Sequence, residues 1–494
     1  MSVREEQELA SRRQKLETWR QLGYQMYPAV FKRTRTSTEV VTMAAGGVAT
    51  LEGSELPVGE GVSVAGRLLT LRPHGQLWFA TLQDQAGEIQ LAAVATAVEK
   101  KLWQLILALD RGDIVGVDGI VVRTKKGEPT IFVKKLIPLA KALLPLPEKW
   151  HGLKDVEQRL RRRYVDLMMD AEGRQLFVKK SNFWRTVRGH LSSAGFLEVD
   201  TPALEAVAGG ADANPFITHH DALDQDFYLR ISLELPLKRL LVGGFEKVFS
   251  IGKVFRNEGI DTEHLQDYEM CEFYWAYADY HELMDFVQQL YQDLVRIVWG
   301  GLKSTYDGQS IDWSGNWPRK DYFELIREHT GEDLAGVRDA AKLRQILAKH
   351  KVRYDENMGL GRLIDLFWKK LARPKVMGPI FVINHPVEVS PLAKRLETDA
   401  TRVQRMQVIV GGSELGNGFS ELNDPSDQRA RFEEQMKLRA AGDAEAQMLD
   451  EDFITALEYG MPPAAGFGFS ERLFSFIVDK PIRETVLFPP MRSK

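Results

Sequence analysis

The stretch VFRNEGIDTEHLQDYEMCEFYWAYADY, residues 254–280, decides the fold. It opens on an apolar strand that delivers Arg256 and Glu258 and crosses a polar loop. A second strand-like run follows, in which Glu272 and Tyr274 fall on one side at a period of two. Working outward, helical patterns around 174–194, 281–299 and 428–439 are separated by β-rich runs such as EKVFSIGKVFRNEG and RVQRMQVIVGGSELGNGF. Strands between helices without a repeating βα unit predict an α+β domain on an antiparallel sheet, not a doubly wound one.

Upstream the character differs. From Gly61, short apolar runs (VSVAGRLLTLR, LWFATLQD, GEIQLAAV, DIVGVDGIVVRT, PTIFVKKLIPL) are punctuated by turns at 84–87 and 125–129, with a helical stretch over Thr96–Leu109. Five strands with a helix between the third and fourth is the element order of an all-β OB-fold barrel. Residues 4–22 place Leu9, Leu16, Trp19 and Leu22 among charges, with Gly23 as a stop, which predicts one exposed amphipathic helix. The prolines of LPLPEKW put a boundary near Pro147, so the domains are expected at 1–150 (helix plus barrel) and 151–494.

At 494 residues and 44% hydrophobic, the chain has length for two or three cores and is not a disordered protein. Its net charge of −4 announces neither nucleic acid nor membrane, but residues 1–150 hold 20 basic and 16 acidic side chains against 45 and 53 in the remainder. A basic front makes a polyanion partner for that part worth testing. The single cysteine, Cys271, excludes an internal disulfide framework and fits a reducing compartment. The charged start has no apolar core of a secretory signal, and no run of about 18 apolar residues occurs. A cytoplasmic protein with no membrane partner is expected.

Arg256 carries a planar fork suited to a carboxylate or phosphate, which lysine does not copy bidentately. Taken alone, Arg256 and Glu258 are more often a structural salt bridge. In GGSELGNGFSELNDPSDQRARFEEQ (411–435), Glu414 and Glu421 flank a Gly-Asn-Gly turn open to close approach. Acidic oxygens there suit Mg²⁺ carried on nucleotide phosphates, and a solvated acidic loop is the plain alternative. In GMPPAAGFGFSERLFSF, Gly466 and Gly468 sit on a strand and Arg472 at a helix start, leaving one face open to a flat ring.

These passages, in this order, resemble the motifs of class II aminoacyl-tRNA synthetases, and more narrowly the bacterial-type lysyl-tRNA synthetases. The resemblance runs through VAGR…LQDQAGEIQL, HGLKDVEQRLRRRYVDL, GGADANPFITHHDALDQDFYLRISLELPLKRLLVGGFEKVF, FRNEGID, YWAYADY, GNGFSELNDPSDQ, YGMPP and VLFPPMR. It implies ATP-dependent activation of L-lysine and transfer to the 3′ end of tRNA(Lys), by a homodimer joined through the first motif near Gly195–Pro202.

Residue by residue, the resemblance puts Gly210 and Glu234 near the α-amino group of lysine and Arg256 on its carboxylate. Glu272, Tyr274, Asn417 and Glu421 would meet the ε-ammonium, and Phe419 would wall the stem. ATP would be held by Arg256, Glu258, His264, Tyr268, Glu414 and Arg472, with Mg²⁺ on Glu414; Arg256, Glu258 and Arg472 would be catalytic. In the barrel, Arg67, Phe79, Gln90 and Glu128 would contact the anticodon. An isolated aromatic such as Phe79 is otherwise more often core, and the basic cluster Arg159–Arg163 is equally a tRNA contact or a solvated helix face.

The chain departs from the pattern at four places. Gln407 replaces the usual second metal-binding glutamate, which predicts a weaker divalent site. HLQDY stands for HNPEF, with Leu265 for an amide and Tyr268 as the ring. The third motif is one residue short, leaving Glu471-Arg472, and Asn214 stands for an arginine. HLQDY and Glu471-Arg472 are similar to the aspartyl and asparaginyl enzymes, but an aspartate pocket needs a cation where Glu272 and Glu421 stand. A silent RNA-binding paralogue is the alternative from another class. It predicts loss of Arg256 or Arg472, and both are present.

Overall fold

The computed structural model describes residues 3–50, 59–147, 155–259, 264–356, 358–443 and 445–492. The junction at 148–154 and residues 260–263 of the polar loop, both singled out above, lie outside them. The chain divides into two compact units, 1–154 and 155–494.

In the first unit the alternating runs form β1 (Gly61–His74), β2 (Leu77–Gln83), β3 (Glu88–Val94), β4 (Ile114–Arg123) and β5 (Pro129–Ala140), with a helix at Lys100–Leu107 between β3 and β4. Pairing runs β1-β2-β3-β5-β4 and returns from β4 to β1, closing the barrel. Only β3 and β5 pair in parallel. Inward residues such as Val64, Leu68, Trp78, Leu91, Val117 and Ile131 fill it.

The N-terminal helix, α1 (Val3–Gln21), forms as expected but is not exposed all round. Trp19 is 1% exposed, donates its indole N–H to Ala108 O at 3.3 Å and packs into the barrel core. Arg12 donates to the carbonyls of Arg111 and Ala142 at 3.0 and 2.8 Å. A tryptophan buries too much apolar area to be left in solvent when a barrel end offers a socket. Over Trp19, at 4.8 Å from the ring, sits the ammonium of Lys141, which pairs with Asp110 (2.6 Å) and Asp113 (2.9 Å).

The second unit is built on an eight-stranded sheet of β6 (Leu197–Glu198), β7 (Lys247–Phe255), β8 (Asp267–Ala276), β9 (Arg319–Asp321), β10 (Ile380–Ile383), β11 (Arg405–Val410), β12 (Ser413–Ser420) and β13 (Ala464–Ser470), in the order β9-β10-β11-β12-β13-β8-β7-β6. The six inner strands are antiparallel, and the pairs β9/β10 and β6/β7 at the edges are parallel. Helices α2 (Ala171–Ser193) and α3 (Tyr280–Trp299) cover one face. Phe183, Val187, Leu283, Val287 and Tyr291 from the helices meet Phe249, Phe273, Val408, Phe467 and Phe469 from the strands. Cys271 points into this core and is fully buried. The opposite face of the same strands carries the site.

The basic cluster at 159–163 resolves into pairs. Arg159 pairs with Asp166 at 2.8 Å, and Arg161 with Glu157. Arg163 is buried, bonded to Asp166 and to the carbonyls of Glu484, Val486 and Leu487. Among the described residues no helix is long and apolar enough to cross a membrane.

Candidate active site

Period-two geometry places the site. On β8, Cys271 and Phe273 face the helices, so Glu272 and Tyr274 face the other way, and the register sets Glu272 opposite Gly468 and Tyr274 opposite Gly466 of β13. On the far side of β13, Gly468 lies opposite Asn417 and Gly466 opposite Phe419. Each glycine thus separates two large side chains. A Cβ on Gly466 would collide with the Tyr274 ring and Glu421 Oε1, and one on Gly468 would lie 3.2 Å from Glu272 Cγ. The absent side chains open a cavity of about 840 Å³ over the sheet.

The cavity is acidic at its floor. Glu272 is buried and accepts from Ser232 Oγ (2.7 Å), the Leu233 N–H (2.8 Å) and the Tyr274 hydroxyl (3.0 Å). Burial pushes its carboxyl above the usual range, and those three donors pull it back. Glu234 opens helix α4 (Glu234–Val242), and burial carries it to about 7 against the pull of Lys238. Gly210, at φ +84°, brings backbone up to Glu234, where a Cβ would stand 3.0 Å from the Glu234 Cβ. Glu421 is 1% exposed and lies behind the wall; burial drives its carboxyl well up.

The other end is cationic. Arg256 lines the cavity with its guanidinium 5.6 Å from the Tyr268 ring, and its Nε and Nη2 donate to Ile231 O at 3.3 Å. Among the described residues no ion pair joins Arg256 to Glu258, so the local salt bridge is not what holds this arginine. Glu258, His264, Leu265 and Arg472 line the same space. Glu471 does not: it is buried, paired with Lys180 of α2, and accepts from the Glu269 N–H at 3.0 Å. Asn214 contributes its backbone carbonyl, which accepts from the Asn257 N–H at 2.7 Å.

Glu414 and Gln407 line the cavity on neighbouring strands. Glu414 is partly exposed, 3.9 Å from Arg373 Nη1. Gln407 is buried and its Oε1 has no hydrogen-bond partner among the described residues. No group of three or more His, Cys, Asp or Glu among those residues is arranged to hold a metal alone. One carboxylate and one orphan amide oxygen fit a cation that arrives on nucleotide phosphates and keeps its waters. His385 behind them is pushed down to about 3 by burial and by Arg405, hence neutral.

Lys238, Arg405 and Arg362 were missed by reading the sequence. Lys238, one turn after Glu234 in α4, is fully buried; its Nζ lies 2.5 Å from Glu234 Oε1 and also contacts Glu421. The signal was present as an i,i+4 acid–base pair inside LELPLKRLL, where Leu235, Leu237 and Leu241 bury the helix. Arg405 donates from Nε to Asn417 Oδ1 at 2.7 Å. Arg362 gathers Asp212, Asp443 and Glu445 along the cavity at 2.9–3.6 Å.

In the barrel, Phe79 alternates with buried Trp78 and Ala80 and so faces outward, not into the core. Its cross-strand neighbours are Arg72 and Ala92, and Arg72 donates to Gln90 Oε1 at 2.9 Å. Glu128 is exposed in the β4–β5 turn. Arg67 lies on the same face farther along the strand pair, opposite Gln83, and donates to Gly112 O at 2.8 Å; Arg72 is the arginine directly across from Phe79.

Residues 155–492 match the tRNA synthetases class II (D, K and N), and residues 62–139 match the OB-fold nucleic acid binding domain. The chain belongs to the class II tRNA synthetases. It is 46% identical over 488 residues to the lysine–tRNA ligase of Carboxydothermus hydrogenoformans (strain ATCC BAA-161 / DSM 6008 / Z-2901), covering 98% of this chain and 97% of that one. Lysine–tRNA ligases of Moorella thermoacetica (45%, 98% of both chains) and Dehalococcoides mccartyi (41%, 98% and 97%) match likewise. In this synthetase the glycine strand β13 is the element that makes room for a ligand on the sheet, and β8 supplies the acidic floor.

Proposed function

We propose that the protein is a lysine–tRNA ligase that activates L-lysine with ATP and passes lysyl to the 3′ end of tRNA(Lys). The observation that carries this is the concentration of Glu234, Glu272 and Glu421 at one end of a cavity whose other end presents Arg256 and Arg472. Buried carboxylates in excess are costly unless a cation joins them, which favours a substrate with two ammonium groups.

Gly210 and Glu234 receive the α-amino group, and Arg256 takes the lysine carboxylate. Glu272, Tyr274, Asn417 and Glu421 form the ε-ammonium end, and Phe419 flanks the stem. ATP lies toward Arg256, Glu258, His264, Tyr268 and Arg472. The lysine carboxylate attacks the α-phosphorus in line with departing pyrophosphate, and the ribose hydroxyl of tRNA then displaces AMP. No protein nucleophile is needed: Arg256 and Arg472 align the reactants and offset phosphate charge. A Mg²⁺ held by Glu414, with Gln407 supplying at most a neutral oxygen, would add further neutralisation when bound.

The barrel face of Arg67, Phe79, Gln90 and Glu128, with Arg72 beside Phe79, stacks and pairs anticodon bases. The domains are assigned at 1–150 and 151–494, the dimer contact at 195–202, and the setting as the cytoplasm. Mg²⁺-dependent ATP–pyrophosphate exchange across the twenty amino acids tests the reading. Exchange with lysine alone is expected; exchange with aspartate or asparagine, or with none, overturns it.

A further inference from the structure

Lys238 belongs to none of the roles above, yet it is the most completely buried charge beside the cavity. Its ammonium touches Glu234 Oε1 from its own helix and Glu421 from the end of β12, and rests 5.2 Å from the ring of Phe419 and 5.9 Å from that of Phe453. From β8, Glu272 and the Tyr274 hydroxyl act on the same carboxylates. Arg405, from β11, also attracts Glu234 but is committed to Asn417, Val389 O and Ser390. Lys238 does not line the cavity; its contact with it runs through Glu234, which does.

We propose that Lys238 is a positioning residue for amino-acid selection: from beneath the floor it fixes the charge and direction of Glu234 and Glu421, so that the pocket takes a cationic side chain. Three buried carboxylates share one ammonium, an excess of acidic groups that the two ammonium groups of lysine would complete. Without Lys238, three carboxylates crowd a desolvated space and protonate, since like charges at close range do not all stay ionised. A neutral carboxyl no longer discriminates a cation from a neutral chain of equal length.

The proposal rests on the lysine reading, and the two fail separately: absence of lysine exchange in the unmodified protein sinks the reading whatever Lys238 does. Lys238→Met keeps the stem and removes the charge. It should raise the lysine KM in ATP–pyrophosphate exchange by about tenfold at pH 7, with the ATP KM within about twofold, and shift the pH above which lysine KM falls upward by about one unit. A lysine KM near the unmodified value, or one raised equally at every pH, would overturn it. Should that variant not fold, Lys238→Gln keeps a donor without the charge and is expected to raise the lysine KM in the same way, while Lys238→Arg keeps the charge and is expected to hold it within about threefold. A Lys238→Gln variant with the unmodified lysine KM, a Lys238→Arg variant as impaired as Lys238→Met, or failure of all three to fold would reduce Lys238 to a folding residue and sink the proposal.

Discussion

Two lysine ammonium groups among the described residues are shut away from solvent, one in each unit, and their surroundings differ in balance. In the barrel, Lys141 and Lys15 face Asp110 and Asp113, two charges against two, and Asp113 also accepts from the N–H groups of Asp110 and Ala142. In the synthetase unit, Lys238 faces Glu234 and Glu421 with Glu272 close by, one against three. The first cluster is complete, and it staples α1 and the end of β5 to the barrel. The second holds more carboxyl groups than cations, which is what distinguishes a structural ion cluster from one that awaits a ligand.

The sharpest break of that contrast is to remove a surplus carboxylate. Glu272→Ala or Glu421→Ala should lower kcat/KM for lysine in exchange by two to three orders of magnitude, about 3–4 kcal/mol, while ATP binding holds. If both variants activate lysine normally, the acidic end is not the lysine site. Lys141→Met disturbs the balanced cluster instead. About 3 kcal/mol of stability should be lost in denaturant unfolding, because Asp113 is left buried without its cation, and exchange by folded protein should be unchanged; a parallel loss of exchange would erase the distinction drawn here.

Phe79→Ala sharpens the contrast from the barrel side. Its tRNA KM should rise about thirtyfold, near 2 kcal/mol for one lost stacking ring, with exchange untouched. An unaltered tRNA KM would return Phe79 to an ordinary surface role. The smallest effect is in pH. Burial holds Glu234 near 7, so lysine binding expels its proton and the lysine KM should fall, by at most about tenfold per unit, as pH rises toward 7. The same raised group acts oppositely on the unliganded protein. Its contribution to stability is fully present below about pH 4.5 and is lost as pH climbs through about 7. A lysine KM flat from pH 6 to 8 would place the titration elsewhere.

Periodicity made the frame legible: β8 could be oriented from Glu272 and Tyr274 alone, and the barrel from five punctuated strands. What stayed hidden depended on contacts between distant segments. Whether Trp19 was exposed could be settled only by the carbonyl of Ala108, which lies far along the chain. That Arg72 stands directly across from Phe79 depends on register across β1 and β2. Lys238 sat in plain view inside an apolar helix, but its meaning required Glu421 to arrive from another strand. Charge pairing over long separations leaves no local period to read.

Cys271 has a practical consequence. It is the only thiol in the chain, one residue from Glu272 on the reverse side of the same strand, with its pKa driven well up by burial. A protonated, sealed thiol resists alkylating reagents. Modification at this one position therefore requires the central sheet to part from its covering helices, so the rate of mass gain with an electrophile is a built-in clock for opening of the synthetase core, readable in the unmutated protein with and without its substrates.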